Sequence, residues 1–176
     1  MQKTKLGPIR TRYTGKIFSI KERDVTFPDG TKTVYEYCER PKSVSVLAFN
    51  EKNELLMIRE HRRGYRKNVW FLPGGRADHK NESPRSAAQR ELREETGYGA
   101  KTIKLIHKKT PSNTLLWDIY LFAAKNLFPA PLPQEPGEHT TPIFVPFKKA
   151  VRMALDGTID NEFISTPEDT PVSGDL

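Results

Sequence analysis

The segment Arg90-Glu91-Leu92-Arg93-Glu94-Glu95-Thr96-Gly97, in a chain of 176 residues, places three glutamates on one face of a predicted helix. Glu91, Glu94 and Glu95 have the spacing i, i+3 and i+4, and residues at this spacing are neighbours on a helix surface. Three neighbouring carboxylates repel one another, and a hard divalent cation such as Mg²⁺, which prefers oxygen ligands, would offset that repulsion. The alternative is a solvated helix in which Arg90 pairs with Glu94.

The residues that flank this segment predict where its helix begins and ends. Ser83 is a favoured N-cap residue, and Pro84 suits the first helical position because its missing N–H needs no partner there. Gly97 predicts the C-terminal end, since glycine readily adopts the left-handed conformation that stops a helix. Upstream, Pro73-Gly74-Gly75 predicts a loop whose backbone can approach a ligand closely.

Short apolar runs separated by turn residues predict strands on both sides of this helix. The predicted strands cover residues 15–20, 25–27, 33–37, 44–49, 55–58, 103–106, 115–123 and 143–145. Pro28-Asp29-Gly30 predicts the turn of a hairpin, and residues 147–155 predict a second helix. The order of strands, helix, strands and helix predicts an α/β fold with helices on both faces of a mixed sheet.

The chain is expected to divide into three parts. Residues 1–40 form a small N-terminal region of β-strands, and residues 41–165 form the main domain. Pro41 marks the boundary between them because it interrupts the succession of strand residues. Residues 166–176 are polar and contain proline, which predicts a flexible tail.

The composition is that of a globular protein with a surplus of basic residues. Lys and Arg number 29 and Asp and Glu 22, which gives a formal net charge of +7. This surplus suits polyanions such as nucleotide phosphates or nucleic acid, and a basic solvated surface is the alternative. Cys38 is the single cysteine, no apolar run approaches the roughly 20 residues of a membrane helix, and the N-terminus lacks a secretory signal. These features predict a cytoplasmic protein that has no membrane partner.

The spacing of the glutamates resembles the box of the Nudix hydrolase family. That box reads Gly, five residues, Glu, seven residues, Arg-Glu, an apolar residue, any residue, Glu-Glu, any residue, Gly and an apolar residue. Seven residues separate Glu82 from Arg90 here, and the segment from Arg90 to Gly97 matches throughout. Tyr98 takes the place of the final apolar residue.

The loop before the helix departs from that box. The box glycine would fall at Arg76, whereas the glycine pair of this chain ends at Gly75, and six residues rather than five separate Gly75 from Glu82. A one-residue insertion within residues 77–81 accounts for the difference. Asn81 also stands where the family usually has a glycine. Because the insertion precedes the helix, the helical glutamates are expected to keep their arrangement.

The resemblance extends from residue 10 to residue 165 and is closest to the ADP-ribose/ADP-sugar pyrophosphatase branch of the family. Pro111 lies near a proline that this branch carries, and residues 156–161 are similar to its C-terminal region. Phe71 and Ser112 depart from it, because glutamate and glycine are common at these positions. The resemblance implies a Nudix-type α/β/α sandwich and a homodimer formed through the N-terminal strands.

The resemblance also implies an activity, the Mg²⁺- or Mn²⁺-dependent hydrolysis of a nucleoside diphosphate derivative. ADP-ribose or a nucleotide sugar would yield a nucleoside monophosphate and a sugar phosphate. By analogy Glu91 and Glu95 are the principal metal ligands, and Glu94 assists them and takes part in catalysis. The carbonyl of Gly74 is a further expected ligand, and Arg90 orients a glutamate through a charge-assisted hydrogen bond.

Members of this branch use a glutamate from a late loop as the base, which here implies Glu138 or Glu135. Glu138 is preferred because it lies nearer the following strand, and solvated loop carboxylates are the alternative. The residues expected to contact the small-molecule substrate are Arg59, Arg62, Gly75 and Arg76.

Two other functions remain open at this stage. One is the hydrolysis of another diphosphate, such as a dinucleotide or a coenzyme A derivative. The other is a non-catalytic module that binds nucleotides or nucleic acid, for which the basic surplus argues. Nucleic acid is the less favoured partner, because a pure binding module has no need for three clustered glutamates.

Overall fold

The computed structural model of the protein describes residues 3–60, 69–137 and 139–159. Before the first helix lie β1 (Lys5–Leu6), β2 (Arg10–Thr14), β3 (Ser19–Thr26), β4 (Lys32–Glu39), β5 (Ser43–Phe49), β6 (Glu54–Glu60), β7 (Val69–Phe71) and β8 (Gly74–Arg76). Helix α1 (Pro84–Thr96) is followed by β9 (Tyr98–Lys109), β10 (Leu115–Leu116), β11 (Ile119–Pro129), β12 (Thr140–Pro146) and helix α2 (Phe147–Leu155).

The first sheet is built mainly from the N-terminal strands. Within the described ranges it has five strands in the order β1-β3-β4-β10, with β2 paired to β3, and the pairs are antiparallel except for β4 with β10. The N–H of Phe27 donates to the carbonyl of Thr31 at 2.8 Å and closes the turn between β3 and β4. Gly30 in this turn has a φ of 88°, which glycine adopts without strain. The predicted hairpin is therefore confirmed.

The second sheet is mixed, as the sequence predicted. In the part of the chain described it has seven strands in the order β12-β6-β5-β11-β9, with β7 on β6 and β8 on β5. Strands β5 and β11 are parallel, whereas β11 with β9 and β6 with β12 are antiparallel. Because β8 pairs with β5, it lies beside the centre of this sheet.

Strand β6 demonstrates that the second sheet has a helix on each face. Successive side chains of a strand point to opposite faces. Leu56 belongs to the buried cluster that α1 covers through Leu92, whereas Leu55 and Met57 belong to the cluster that α2 covers through Met153. This arrangement confirms the predicted α/β fold with helices on both faces of a mixed sheet.

Two predicted strands are wrong where the chain changes direction. The N–H of Gly15 donates to the carbonyl of Phe18 at 2.8 Å, so residues 15–18 of the strand predicted at residues 15–20 form a turn. The strand predicted at residues 115–123 divides at Trp117 into β10 and β11, which belong to different sheets. The indole N–H of Trp117 donates to Ser43 Oγ at 2.9 Å and fixes this corner. Apolar residues lie on both sides of Asp118, so the pattern predicts one strand and does not reveal the corner.

Strand β10 belongs to the first sheet although it comes from the predicted main domain, so the two regions share that sheet. The boundaries at residues 40 and 165 remain predictions. Residues 160–176, which include the predicted tail at 166–176, lie outside the described residues. Of the helices described, none is long and apolar enough to cross a membrane.

Candidate metal and active site

Helix α1 carries the candidate site, and its ends are capped as predicted. Ser83 Oγ accepts the N–H of Ser86 at 3.1 Å, and Gly97, with a φ of 76°, donates its N–H to the carbonyl of Arg93 at 3.0 Å. Glu91 and Glu95 lie on this helix and are only 8% and 4% exposed. Buried carboxylates are rare unless they are paired, so this face needs a reason beyond solubility.

The guanidinium of Arg90 donates hydrogen bonds to three carboxylates. Its Nε and Nη2 donate to the two oxygens of Glu82 at 2.9 and 3.1 Å, which is a bidentate contact. Its Nη1 donates to Glu91 Oε1 at 2.9 Å and to Glu94 Oε2 at 2.8 Å. Nη2 also donates to the carbonyl of Arg76 at 2.8 Å. The guanidinium therefore ties the loop before α1 to the glutamate face of the helix.

The contacts of Arg90 leave this cluster negatively charged. The guanidinium lowers the pKa of Glu82 below its usual value, and the Glu82 carboxylate makes the largest contribution to the raised pKa of Arg90. Arg90 brings one positive charge to the three carboxylates that it contacts, those of Glu82, Glu91 and Glu94. Among these four side chains, one positive charge therefore faces three negative ones.

The two glycines before the helix form strand β8, so the loop predicted at Pro73-Gly74-Gly75 is wrong for both glycines. A Cβ atom at Gly74 would lie 2.1 Å from the carbonyl oxygen of Val44 on the paired strand. A Cβ atom at Gly75 would lie 2.5 Å from Glu91 Oε1. Gly74 also donates its N–H to Glu95 Oε2 at 2.7 Å. Glycine is required here because backbone and carboxylates approach too closely for a side chain.

The structure accommodates the predicted insertion entirely within the loop. Asn81 has a φ of 62°, a left-handed conformation that asparagine tolerates better than most residues and that explains how it replaces a glycine. The N–H of Glu82 donates to the carbonyl of His79 at 3.0 Å, which closes the turn before the helix. Glu82 still reaches Arg90 with both oxygens, so the insertion leaves the helical carboxylates in place.

The glutamate face provides donor chemistry that fits Mg²⁺ or Mn²⁺. Glu91 and Glu94 each turn one oxygen toward Arg90 Nη1, and Glu95 turns one toward the N–H of Gly74. In this arrangement no group of three His, Cys, Asp or Glu side chains within the described residues is placed to hold a metal ion. Each carboxylate nevertheless has two oxygens, and carboxylate oxygens are the ligands that hard divalent cations take. Metal binding would require these side chains to rotate so that their oxygens converge on the ion.

Only some of the other predicted site residues belong to the described part of the chain. Arg76 gives its carbonyl to Arg90 and pairs through Nε with Asp78 Oδ2 at 3.1 Å, so its side chain is already engaged. Arg59 is exposed on β6, and Glu135 is exposed in the segment between β11 and β12. Arg62 and Glu138 lie outside the described residues. The roles given to these residues remain predictions.

A cleft of about 720 Å³ opens beside the loop that precedes α1. Glu82 lines the cleft and also contacts Arg90, which links the cleft directly to the glutamate cluster. The guanidinium of Arg40 lies over the ring of Trp117, 3.9 Å from its centroid. Asp118 lines the same cleft, and its contact with Lys108 at 2.8 Å lowers its pKa. Small-molecule sites commonly have this volume and combine aromatic surface with a few charged groups in this way.

Reasoning from the sequence did not identify the basic residues that line this cleft. Arg40, Lys16 and Lys42 line it, and none of them belongs to a recognisable motif. Trp117 is buried, and its ring is also the surface on which Arg40 lies. The available signal was the position of Arg40 directly before Pro41, shortly after the strand predicted at residues 33–37.

Comparisons with known proteins agree with this geometry. A family model described as NUDIX domain matches residues 39–165. The chain is 30% identical over 154 residues to an ADP-ribose pyrophosphatase of Mycobacterium tuberculosis, a match that covers 86% of this chain and 74% of that protein. It is 32% identical over 116 residues to a methanol dehydrogenase activator of Bacillus methanolicus, and here it spans 65% of its own length and only 62% of the relative's.

A solved structure is similar over most of the chain. The crystal structure of an ADP compounds hydrolase has a TM-score of 0.73 and 25% identity, covering 89% of this chain and 84% of the other. The matched family region contains the whole segment from Glu82 to Gly97, together with both helices and the second sheet. The resemblance found in the sequence is thereby confirmed, and the chain belongs to the NUDIX domain family.

Proposed function

We propose that the chain hydrolyses the diphosphate of ADP-ribose or of a nucleotide sugar with the help of Mg²⁺ or Mn²⁺, releasing a nucleoside monophosphate and a sugar phosphate. The observation that carries this proposal is the buried glutamate face of α1, which lies against the glycine strand β8. One relative is named ADP-ribose pyrophosphatase and one structural neighbour ADP compounds hydrolase. These names favour ADP-ribose-type substrates over a dinucleotide or a coenzyme A derivative.

In this proposal Glu91 and Glu95 are the principal metal ligands, with Glu94 assisting and the carbonyl of Gly74 as a further ligand. A bound divalent metal lowers the pKa of water and neutralises charge on phosphoryl oxygens. The contribution of the chain is to hold these carboxylates near one another before the metal arrives. Gly74 fixes Glu95 through its N–H, and Arg90 fixes Glu91 and Glu94. Such preorganisation lowers the cost of assembling the site.

Arg90 acts in this scheme by positioning the carboxylates. The bidentate contact with Glu82 and the hydrogen bond to the carbonyl of Arg76 fix the orientation of its guanidinium. Only the planar fork of arginine can satisfy these partners and still present Nη1 to two helical glutamates, which lysine would not do. Glu82 therefore supports the site through Arg90, without contacting the proposed metal.

A proton has to leave the attacking water, and we propose that a glutamate between β11 and β12 accepts it. Glu138 is preferred because it lies two residues before β12. Glu135 is the second candidate, and it is exposed and belongs to the described part of this segment. A loop carboxylate suits this role if it comes within hydrogen-bond distance of the attacking water in the substrate complex.

The part of the substrate beyond the diphosphate is proposed to occupy the cleft beside Glu82. Arg40 and Trp117 provide a stacked cation and ring that suit a planar or hydroxylated group. Arg59, Arg62, Gly75 and Arg76 are proposed to contact the phosphates and the adjoining ribose. The basic surplus of +7 would assist the approach of a doubly charged diphosphate.

We further propose that the protein is a homodimer and that it works in the cytoplasm. The first sheet carries exposed apolar side chains, such as Leu6 and Tyr13, which are 54% and 62% exposed. Exposed apolar surface on a sheet with open edges is usually covered by a partner. The single cysteine, Cys38, is typical of a protein that does not depend on disulfides.

A screen of diphosphate substrates tests the proposal. ADP-ribose, nucleotide sugars, dinucleotides and coenzyme A derivatives are each incubated with the protein and Mg²⁺, and the products are identified by mass. ADP-ribose is expected to yield AMP and ribose 5-phosphate, with turnover lost in excess chelator. A non-catalytic module would instead bind one of these compounds at equilibrium and release no product.

A further inference from the structure

The segment between β11 and β12 is fixed against the C-terminal end of α1. The N–H of Ala130 donates to the carbonyl of Gly97 at 2.9 Å, and the N–H of Leu132 donates to the carbonyl of Arg93 at 3.3 Å. In addition, Arg93 Nε donates a hydrogen bond to the carbonyl of Ala130 at 2.9 Å. The start of the segment, residues 130–132, is therefore anchored on the last turn of the helix.

Thr140 anchors the other end of the segment on the same turn. Its hydroxyl donates to the main-chain carbonyl of Glu95 at 2.7 Å. The same hydroxyl accepts a bond from Gln134 Nε2, also at 2.7 Å. A hydroxyl can donate one hydrogen bond and accept others at the same time, so Gln134, Thr140 and the Glu95 carbonyl form one continuous relay.

Glu95 is consequently held at two places by two different parts of the chain. The N–H of Gly74 holds its side chain, and the Thr140 hydroxyl holds its main chain. The last four carbonyls of a helix lack partners within the helix, so the Thr140 contact also satisfies one of them. Capping alone would require only Thr140. The additional bond from Gln134 joins the loop that contains Glu135 to this point.

We propose that Thr140 and Gln134 are positioning residues for the hydrolysis, since their relay fixes Glu95 and the adjoining loop relative to each other. This inference rests on the proposed function, in which Glu95 is a metal ligand and a loop glutamate is the base. Loss of the relay should leave substrate binding intact, because neither residue is among those assigned to the substrate. It should lower the rate of the chemical step, because small displacements of reacting groups are costly.

The test compares the kinetics of four variants with those of the parent chain. Thr140→Val removes the hydroxyl and preserves the shape, whereas Thr140→Ser restores the hydroxyl. Gln134→Ala removes the other half of the relay at an exposed position. Thr102→Val is the matched control, since Thr102 Oγ1 accepts only a surface bond from Asn126 at 3.3 Å, on strands β9 and β11.

Thr140→Val is expected to lower kcat for ADP-ribose about tenfold with KM changed less than about twofold, the scale of one lost hydrogen bond acting on the chemical step. Thr140→Ser and Thr102→Val should stay within about twofold of the parent chain. If Thr140→Val fails to fold, Gln134→Ala provides the test, with an expected loss of about threefold in kcat. Parent-level kcat in both relay variants would overturn the inference while leaving the proposed function intact. A parent chain without turnover would contradict the proposed function and remove this role with it.

Discussion

Gly75 and Glu91 lie in such close contact that a Cβ atom at position 75 would be 2.5 Å from Glu91 Oε1 and 2.8 Å from Oε2. The Gly75→Ala variant must therefore displace the Glu91 carboxylate. Because Glu91 is a proposed metal ligand, we expect kcat for ADP-ribose to fall about 100-fold, the scale of a misplaced catalytic group. The loss of folding stability should be small, since the displaced atoms are the end of one side chain.

The neighbouring glycine offers the matched comparison for this variant. A Cβ atom at Gly74 would lie 2.1 Å from the carbonyl oxygen of Val44 and 2.9 Å from the Cα of Ser45, which are backbone atoms of a central strand. Gly74→Ala should therefore lower the free energy of unfolding by about 1–3 kcal/mol or more. Thermal melts and steady-state kinetics of both variants provide the check. Parent-level kcat in Gly75→Ala would disprove the assigned role of Glu91.

The Glu82–Arg90 contact predicts how stability depends on pH. Arg90 lowers the pKa of the Glu82 carboxyl from its usual value of 4.5, and the Glu82 side chain is only 9% exposed. A carboxyl with a lowered pKa stabilises the fold above its usual pKa, and this contribution is lost as the pH falls through the lowered value. At pH 7, Glu82→Gln should therefore be less stable than the parent chain by about 1–3 kcal/mol.

Urea denaturation of both proteins from pH 7 down to pH 3 measures this effect. The difference in unfolding free energy should begin to shrink as the pH falls below 4.5, because the unfolded parent chain then binds a proton at Glu82 while the folded chain still carries the carboxylate. The difference is lost once the pH passes the lowered pKa of Glu82 in the folded protein. Glu51→Gln, in the exposed turn between β5 and β6, is the control and should differ little from the parent chain at any pH. A difference for Glu82→Gln that stays constant across the range would contradict the charge-assisted contact.

The two loop glutamates are predicted to contribute unequally to turnover. Glu138→Gln should lower kcat about 10²–10⁴-fold, the usual contribution of general base catalysis. Glu135→Gln should have a smaller effect, and substrate affinity should survive in both variants because the glutamates of α1 are unchanged. Steady-state kinetics at saturating Mg²⁺ separate the outcomes. A larger loss in Glu135→Gln would exchange the two roles, and no loss in either would remove the loop base from the mechanism.

The exposed apolar side chains of the first sheet predict a homodimer. Tyr13 is 62% exposed on β2 and Tyr35 is 43% exposed on β4, beside other exposed apolar residues. Light scattering should therefore give a mass of twice 20.2 kDa at working concentration. Tyr13→Lys is expected to shift the population toward one chain. Leu155→Lys, at a position 81% exposed on α2, should not do so. A mass of 20.2 kDa for the parent chain would reject the dimer.

The helix and its glutamate face could be predicted because their rules are local. Ser83, Pro84 and Gly97 lie within one helix length of one another, and their preferences for helix ends do not depend on the rest of the fold. The spacing of Glu91, Glu94 and Glu95 likewise determines their shared face once the helix is given. The mixed sheet followed from the order of elements, as did its two covering helices.

The features that were missed depend on contacts between distant parts of the chain. Gly74 and Gly75 were predicted as a loop, and only their pairing with β5 makes them a strand. Trp117 was predicted inside one strand, yet its bond to Ser43, 74 residues away in sequence, fixes a corner between two sheets. The role of Arg40 in lining the cleft depends on its contact with the ring of Trp117, which the fold brings beside it. None of these contacts leaves a periodic or compositional trace in the sequence.

The central claim, that the glutamates of α1 hold the metal for diphosphate hydrolysis, is tested most directly by kcat for ADP-ribose in Glu95→Gln at saturating Mg²⁺. Glutamine keeps the shape and an acceptor oxygen for the N–H of Gly74, so the variant should fold and melt like the parent chain. We expect kcat to fall at least 100-fold, while Glu51→Gln keeps the parent rate. A Glu95→Gln variant that turns over ADP-ribose at the parent rate would contradict the metal site and leave the solvated-helix interpretation standing.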